Sequence, residues 1–428
     1  MDRFIRWKKS LHSTSQKLYH ASQDILKWSI LAVLVGVSVG FGVAAALKAL
    51  EFAIGSFHFW HQEAYYYLPL VLAISGYSLW RYFPQGLADG TEEIVRATIY
   101  KDKSFNFWKM ALKQITIFFT LLFQGSAGKE APAAQMGAYF SSLLSPLFRI
   151  DEKERIILII TGTSAGFAVV LGSPIAAGFF ALEALFAGKI LYRVLVPAFI
   201  SSFIAYWSMQ ILDVEYIYHP VSVGLVPSFW ELLNVIKVVI AGLVFGFVAY
   251  GVILAMHAAD RLAKTPWLHP LLKGLLGGVA LVAIAEYFGQ IYLGLGLEMI
   301  DLSFENIELA WYTPLLKIFT TFLTLGFGGS GGFVTPIFFI GATTGNVVAH
   351  LLDANVALFA ALGFVSLLSG ATNAPIAATI LAAELFGVEV AHFAAVTSII
   401  SYLISSQKSV FSPEILETIE RKFNRHLR

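Results

Sequence analysis

The chain has 428 residues, of which 57% are hydrophobic and 13% charged, with a formal net charge of +1. Apolar stretches recur from about Leu26 to about Ile404, and windows such as ILAVLVGVSVGFGVAAAL (30–47) are apolar on every face, which excludes a soluble helical protein and marks a polytopic membrane protein. The near-neutral balance offers no basic surface for nucleic acid, and the absence of cysteine excludes disulfides and thiolate metal sites.

Residues 1–25 form a polar, basic, amphipathic segment (MDRFIRWKKSLHSTSQK at its start), so the first apolar helix behind it reads as a membrane anchor and not as a cleaved signal peptide. The last residues, ERKFNRHLR, are basic as well. By the positive-inside rule both termini are expected in the cytoplasm of a multi-pass cell-membrane protein. No soluble domain of useful length is expected on either side of the apolar region.

Four short elements then occur twice, in the same order. GVSVG (36–40) returns as GLVFG (242–246), and GTEEI (90–94) as GLEMI (296–300). GSAGKEAPAAQMGA (125–138) returns as GSGGFVTPIFFIGA (329–342), and SPIAAGFFALE (173–183) as APIAATILAAE (374–384). A single GxxxG is ordinary packing chemistry. Four pairs in register indicate an internal duplication, with a first membrane repeat at 26–208, an inter-repeat loop at 209–228, a second repeat at 229–405 and a C-terminal helix at 406–428 ending in the cytoplasm.

Loop charge sets the orientation. The loop FHFWHQEAYYYLP (57–69) has no Lys or Arg and is expected outside, whereas its counterpart HAADRLAKTPWLHP (257–270) carries Arg261 and Lys264 and is expected inside. The inter-repeat connection MQILDVEYIYHPVSVGLVPSFW (209–230) also lacks Lys and Arg and is expected outside. Equivalent loops on opposite faces make the repeats inverted, an architecture that transporters use with a site near the midplane.

The two GS-G runs predict helices that stop and restart, because glycine frees the backbone and proline suits the first turn of a new helix. Open N–H groups at membrane depth are tolerable only inside protein or along a polar cavity, and at a helix N-terminus they favour an anion. Two such ends aimed at one point would hold an ion by partial charges, loosely enough to release it. Glu130 lies within the first run, and a carboxylate there would occupy the place an anion wants. It acts either as a tethered competitor that leaves when protonated or as a simple cap of a helix over 131–147. Lys129 either raises the local potential for anions or snorkels. No catalytic dyad or metal spacing appears at membrane depth and the ten histidines are scattered, so no enzyme activity and no cofactor beyond the transported ion are expected. The glycine-rich GLGLEMI (294–300) lacks a preceding strand and is no nucleotide loop, and the charge cluster RIDEKER (149–155) reads as a solvated loop.

These residues resemble the CLC chloride channels and chloride/proton antiporters across nearly the whole chain. GKEAP (128–132) is similar to that family's G-[KR]-E-G-P element and GGFVTP (331–336) to its G-x-F-x-P element, while ADGTEEI (88–94) sits where its G-S-G-I-P element belongs. The resemblance implies an all-α membrane protein of two inverted-topology repeats of tilted and broken helices. It also implies a homodimer in the lipid bilayer, joined along helices near 174–208 and 375–405, each subunit with its own anion pore. Glu130 is then the gate, and Gly128, Lys129, Ala131, Phe333, Val334, Thr335, Phe411 and Asp89 fall at anion-binding positions.

Three departures qualify what the resemblance implies. Asp89 replaces the family's serine, and a charged Asp would repel chloride; it either faces the ion or caps a helix from Thr91 with Glu92 completing a capping box. Phe411 replaces the family's tyrosine, keeping the ring and losing the donor, so the inner end of the pore is expected to be a hydrophobic constriction. Ala184 stands where proton-coupled members usually carry an internal glutamate. Glu183 and Glu384, paired by the repeat, are then read as buried structural carboxylates, with proton carriage as the alternative. The resulting expectation is passage of chloride or a similar small anion, channel-like or loosely proton-coupled; the alternative is strict proton-coupled chloride or fluoride antiport.

Overall fold

The computed structural model describes residues 2–56, 63–83, 94, 107–185, 192–214, 221, 232–266, 268–405 and 408–411, with the side chains of 2–24, 152–153, 185, 192 and 232 left aside. Asp89 and Thr91 lie outside the described residues, as does most of the 209–228 loop. Among the described residues the secondary structure is helical. The helices are α1 (Asp2–Ser56), α2 (Leu68–Tyr82), α3 (Phe107–Leu122), α4 (Glu130–Leu147), α5 (Glu152–Leu171), α6 (Pro174–Leu185), α7 (Tyr192–Ile211) and α8 (Leu232–Lys264). They continue with α9 (Pro270–Phe288), α10 (Leu297–Ser303), α11 (Thr313–Gly326), α12 (Val334–Leu352), α13 (Val356–Thr372), α14 (Pro375–Phe386) and α15 (Val388–Ile404).

Among the described residues, six helical segments are long and apolar enough to cross a bilayer: Ile25–Ser56, Glu154–Leu171, Arg193–Ile211, Leu233–Lys264, Pro270–Phe288 and Val334–Leu352. Others stop short. The 12 residues of α6 and of α14 span roughly 18 Å, too little for a hydrocarbon core of about 30 Å. Their ends must therefore meet inside protein. Helix α12 is of spanning length, yet 83% of its apolar window is buried within the molecule, so it faces neighbouring helices more than lipid.

The packing pattern is unchanged when the two halves are exchanged. Helix α1 packs on α7 as α8 packs on α15; α4 on α5 as α12 on α13; and α5 on α7 as α13 on α15. The repeated GxxxG elements make the first of these contacts: a Cβ on Gly36 or Gly40 would come within 2.7 and 2.6 Å of α7 side chains, and one on Gly246 within 2.7 Å of Ile404. Two helix pairs join like to like across the pseudo-twofold axis, α2 with α9 and α6 with α14. The first pair is antiparallel, since Gly274 meets Ala73 while Gly278, one turn later, meets Pro69. Antiparallel self-pairing is what an inverted repeat requires.

The loops agree with the inversion. The carbonyls of Leu262, Ala263 and Thr265, at the C-terminal end of α8, accept from Lys273 Nζ at 2.7, 3.2 and 2.9 Å, on the face that also bears Arg261 and Lys264. At the other end of α9, Glu286 Oε1 accepts from Tyr65 Oη at 2.7 Å and also from Tyr66 Oη. The first-half loop thus lies on the face opposite its second-half counterpart. One expectation changes: 149–155 is more than a solvated loop, because Asp151 Oδ1 caps α5 through Glu154 N (2.7 Å) and Glu154 pairs with Lys27 Nζ at 2.8 Å. Those contacts fix the start of α5 against α1.

Candidate anion site

Helices α3 and α11 end in mid-molecule, and each is followed by one GS-G loop. The residue opening each loop is left-handed, Gln124 at φ 64° and Gly328 at φ 113°. Each chain then folds back on its own helix, with Gly125 N donating to Thr120 O (2.7 Å) and Gly329 N to Thr324 O (2.8 Å). The two loops clasp each other. Gly128 N donates to Gly332 O at 2.6 Å and Gly332 N to Gly128 O at 2.9 Å. Ser126 N donates to Thr324 Oγ1 (3.0 Å) and Ser330 N to Thr120 Oγ1 (3.2 Å), so each threonine serves the loop of the other half. Backbone groups that a broken helix leaves open at membrane depth are satisfied in this way by the opposite repeat.

From the clasp, α4 starts at Glu130 and α12 at Val334, and neither N-cap residue (Lys129, Phe333) makes a side-chain cap. The open N-terminal end of α12 is filled from across the pseudo-axis. Glu130 is 2% exposed; its Oε1 accepts from Thr335 Oγ1 at 2.6 Å and its Oε2 from Thr335 N at 3.1 Å. The carboxylate therefore caps the other half's helix, a correction to the reading in which it simply capped a helix over 131–147. The carboxyl group sits at the positive end of the α12 dipole and takes one short O–H bond and one N–H bond, donors of the kind an anion would use. Gly128 permits the approach: a Cβ there would stand 2.6 Å from Glu130 Oε2.

The residues singled out in the sequence gather here. Ala131 lies against Gly332, where a Cβ would come within 3.0 Å of its own. Phe333 and Val334 are buried beside Thr335 at the start of α12. Phe411, from the segment after α15, reaches the same place: Val410 N donates to Ala371 O (2.9 Å), and the Phe411 ring meets that of Phe333 edge-on at 5.6 Å. Lys129 is half-buried next to the carboxylate. Asp89 lies outside the described residues.

A pair of carboxylates elsewhere, one in each repeat, follows the same rule of capping in trans. Glu183 on α6 accepts from Ile376 N (3.3 Å) and Ala377 N (2.7 Å), at the start of α14. Glu384 on α14 accepts from Ile175 N (3.1 Å) and Ala176 N (2.8 Å), at the start of α6. Both are structural caps tying the halves together. Ala184, beside Glu183, is buried.

Motif reading missed the polar lining of the clasp: Thr120, Ser126, Thr320, Thr321, Thr324 and Ser330. Ser126 Oγ shares hydrogen bonds with Thr321 Oγ1 (2.9 Å) and Thr320 Oγ1 (3.2 Å). The signal was present. KQITIFFTLLFQGSAG (113–128) and KIFTTFLTLGFGGSGG (317–332) share nine of sixteen positions, among them Thr116/Thr320, Thr120/Thr324 and Lys113/Lys317.

Comparison with known proteins agrees with this geometry. The family model described as voltage gated chloride channel matches residues 71–406. A chloride/fluoride channel protein of Pseudomonas syringae pv. tomato is 33% identical, over 90% of this chain and 86% of its own length. The H(+)/Cl(-) exchange transporter ClcA of Vibrio parahaemolyticus is 25% identical, over 83% of this chain and 81% of its own. The crystal structure of a CLC-type fluoride/proton antiporter superposes with a TM-score of 0.83 at 30% identity, covering 90% of this chain and 97% of that one. The inverted-repeat fold, the clasped broken helices and these matches together show that the chain belongs to the CLC family of voltage gated chloride channels and related anion antiporters.

Proposed function

We propose that this CLC protein exchanges a small anion, fluoride in preference to chloride, for protons, with Glu130 as both the gate and the proton carrier. The observation that carries it is the pair of bonds from Thr335 Oγ1 and Thr335 N to the Glu130 carboxylate. A carboxylate oxygen and a fluoride ion are both small, hard hydrogen-bond acceptors, so donors that hold one at 2.6 Å suit the other. Protonation removes the charge that the α12 dipole and these donors stabilise, and frees the place for the anion. One group then couples the two ions, and neither the capping carboxylate Glu183 nor an internal acid at Ala184 is required. A fluoride/proton antiporter and a chloride/fluoride channel protein among the relatives support the choice of anion.

Gly128, Lys129, Ala131, Phe333, Val334 and Phe411 complete the surroundings of the ion, and no cofactor takes part. The unit is a homodimer in the cell membrane, with both termini cytoplasmic, as the basic ends suggest. The second reading, passive chloride passage, is favoured by Ala184 and by the ring of Phe411 in place of a hydroxyl. Flux in liposomes separates the two. Uphill proton movement driven by an imposed fluoride or chloride gradient is expected, and a gradient that moves anions with no protons would leave the channel reading in its place.

A further inference from the structure

Helices α1, α4 and α5 share a seam with one tight point: a Cβ on Gly137 would stand 2.1 Å from Gly162 O and 3.2 Å from Val39 Cγ1. Trp28 precedes Val39 by eleven residues, about three turns, and Arg155 precedes Gly162 by seven, about two turns. Whole turns keep both residues on the side of their helix that faces the seam. On α4, Ser141 meets Gly162, and Ser145 follows it one turn further on the same side. Lys27 Nζ and Glu154 Oε2, 2.8 Å apart, keep α1 and α5 in contact at this level. Trp28 lies near the start of the Ile25–Ser56 span, the end away from Tyr65 and Tyr66, and so at the face that bears Arg261 and Lys264.

Each of these three residues carries a donor without an acceptor. Among the described residues, Trp28 Nε1, Ser145 Oγ and Arg155 Nε are buried and have no hydrogen-bond partner. Trp28 is 8% and Ser145 7% exposed. Asp151 and Glu154, on the same turn as Arg155, are engaged elsewhere: Asp151 accepts from Glu154 N, and Glu154 pairs with Lys27. Water would satisfy the hydroxyl, but an indole N–H and a guanidinium only donate, and the guanidinium is a permanent cation.

The second half shows that the fold does not need these donors. Gly341 meets Gly363 as Gly137 meets Gly162, with a Cβ there 2.3 Å from the carbonyl oxygen. The positions on α12 and α13 that match Ser145 and Arg155 are Ala349 and Val356, both buried. The same seam thus closes at the opposite face with apolar side chains. Buried donors that met no acceptor would only weaken the copy that has them.

We propose that Trp28, Ser145 and Arg155 form a binding site for the phosphate of an anionic phospholipid headgroup, in the leaflet on the basic face. A phosphodiester brings the charge that Arg155 lacks and oxygens for the indole and the hydroxyl. The rim suits acyl chains: Ile25 and Leu26, within a turn of Trp28, and Leu147 and Phe148, within a turn of Ser145, are exposed and apolar. A choline headgroup carries its own cation and offsets the attraction. With lipid in place, the start of α5 is braced against α1 and against α4, the helix that begins at Glu130.

This site is separate from the clasp and does not depend on which ions cross it. The purified full chain, stripped of lipid in detergent, is titrated with dioctanoyl phosphatidylglycerol, dioctanoyl phosphatidylcholine or inorganic phosphate while the thermal unfolding midpoint is read, and native mass spectrometry counts the lipid retained. Phosphatidylglycerol is expected to raise the midpoint saturably and to stay bound as one molecule per chain, with the other two about tenfold weaker. Arg155→Gln should weaken phosphatidylglycerol about tenfold and Trp28→Phe, which keeps a ring and loses the N–H, about fivefold. Lys264→Gln, on the same face but outside the seam, should leave the affinity unchanged. Should Arg155→Gln fail to fold, the affinity of Trp28→Phe decides. No response to phosphatidylglycerol, an equal response to phosphatidylcholine or to inorganic phosphate, or wild-type affinity in Trp28→Phe overturns the proposal.

Discussion

The loop and helix at 124–135 and those at 328–339 share one backbone design: a left-handed opening residue, a fold back onto a threonine carbonyl, a crossed serine N–H bond and half of a two-bond bridge. They differ in the residues just after the clasp. The first places Lys129 and Glu130 there, the second Phe333 and Val334. Two copies of a scaffold that supplies donors thus became unequal by one carboxylate, which the first copy aims at the second's helix terminus. In the proposed function the scaffold makes an anion site, and the asymmetry decides who occupies it.

Removing the asymmetry has the largest expected effect. Glu130→Ala is expected to abolish proton movement while anions still pass, at a rate independent of pH across the range in which wild-type flux varies; retained uphill proton transport in that variant would falsify the role of Glu130 as carrier. The two bridge glycines provide the next contrast. In Gly128→Ala the new methyl meets Glu130 Oε2 at 2.6 Å, whereas in Gly332→Ala it meets Ala131 Cβ at 3.0 Å. Displacement of the carboxylate makes the first variant leak anions, and the second should lose stability without leaking. Equal leaks from both would mean that the clasp as a whole, and not the carboxylate, closes the pathway.

Thr335→Val deletes the hydroxyl on Glu130 Oε1 and leaves the backbone N–H. Hydrogen bonds to charged groups contribute about 1.5–3 kcal/mol, so the preference for fluoride over chloride should fall by roughly tenfold or more in competition flux assays. An unchanged ratio would remove the hydroxyl from ion selection. Glu183→Ala and Glu384→Ala each remove a cap that one half provides to the other, at about 1–2 kcal/mol apiece. Their unfolding midpoints in detergent should drop by a few degrees and by similar amounts, with transport retained in whatever protein stays folded. Loss of coupling in Glu183→Ala alone would restore Glu183 as a proton carrier. The smallest effect is expected from Phe411→Tyr, which adds a hydroxyl beside Phe333 and should raise chloride passage only by a few-fold, read from the same flux ratio.

Much of the fold was legible because lipid leaves few options: long all-round apolar windows become spanning helices, and GxxxG pairs in register mark equivalent contacts. The inversion was readable from Arg261 and Lys264 set against a loop without cations. The clasp was legible as two broken helices, since a GS-G run before a helix-starting proline has few other uses. Its lining was not, because Thr120 and Thr324 look like ordinary helix threonines until the other half's loop arrives. Arg155 was passed over for a related reason: an arginine in a charge cluster reads as solvated, and only the packing shows its Nε enclosed. The expectation also leaned towards channel-like chloride passage on the strength of Ala184, while a fluoride/proton antiporter and a H(+)/Cl(-) exchange transporter among the similar proteins bring the proton-coupled alternative to equal standing.

By itself the sequence determined the membrane class, the duplication, the relative orientation of the halves and the elements that break their helices, because each of these follows from local composition and from spacing along one chain. Only the tertiary structure decided which helix each carboxylate caps. Glu130, Glu183 and Glu384 all serve N–H groups about 200 residues away, in the opposite repeat. Periodicity within a helix cannot report a partner brought in by a twofold axis, and it is that axis which turns two half-sites into one.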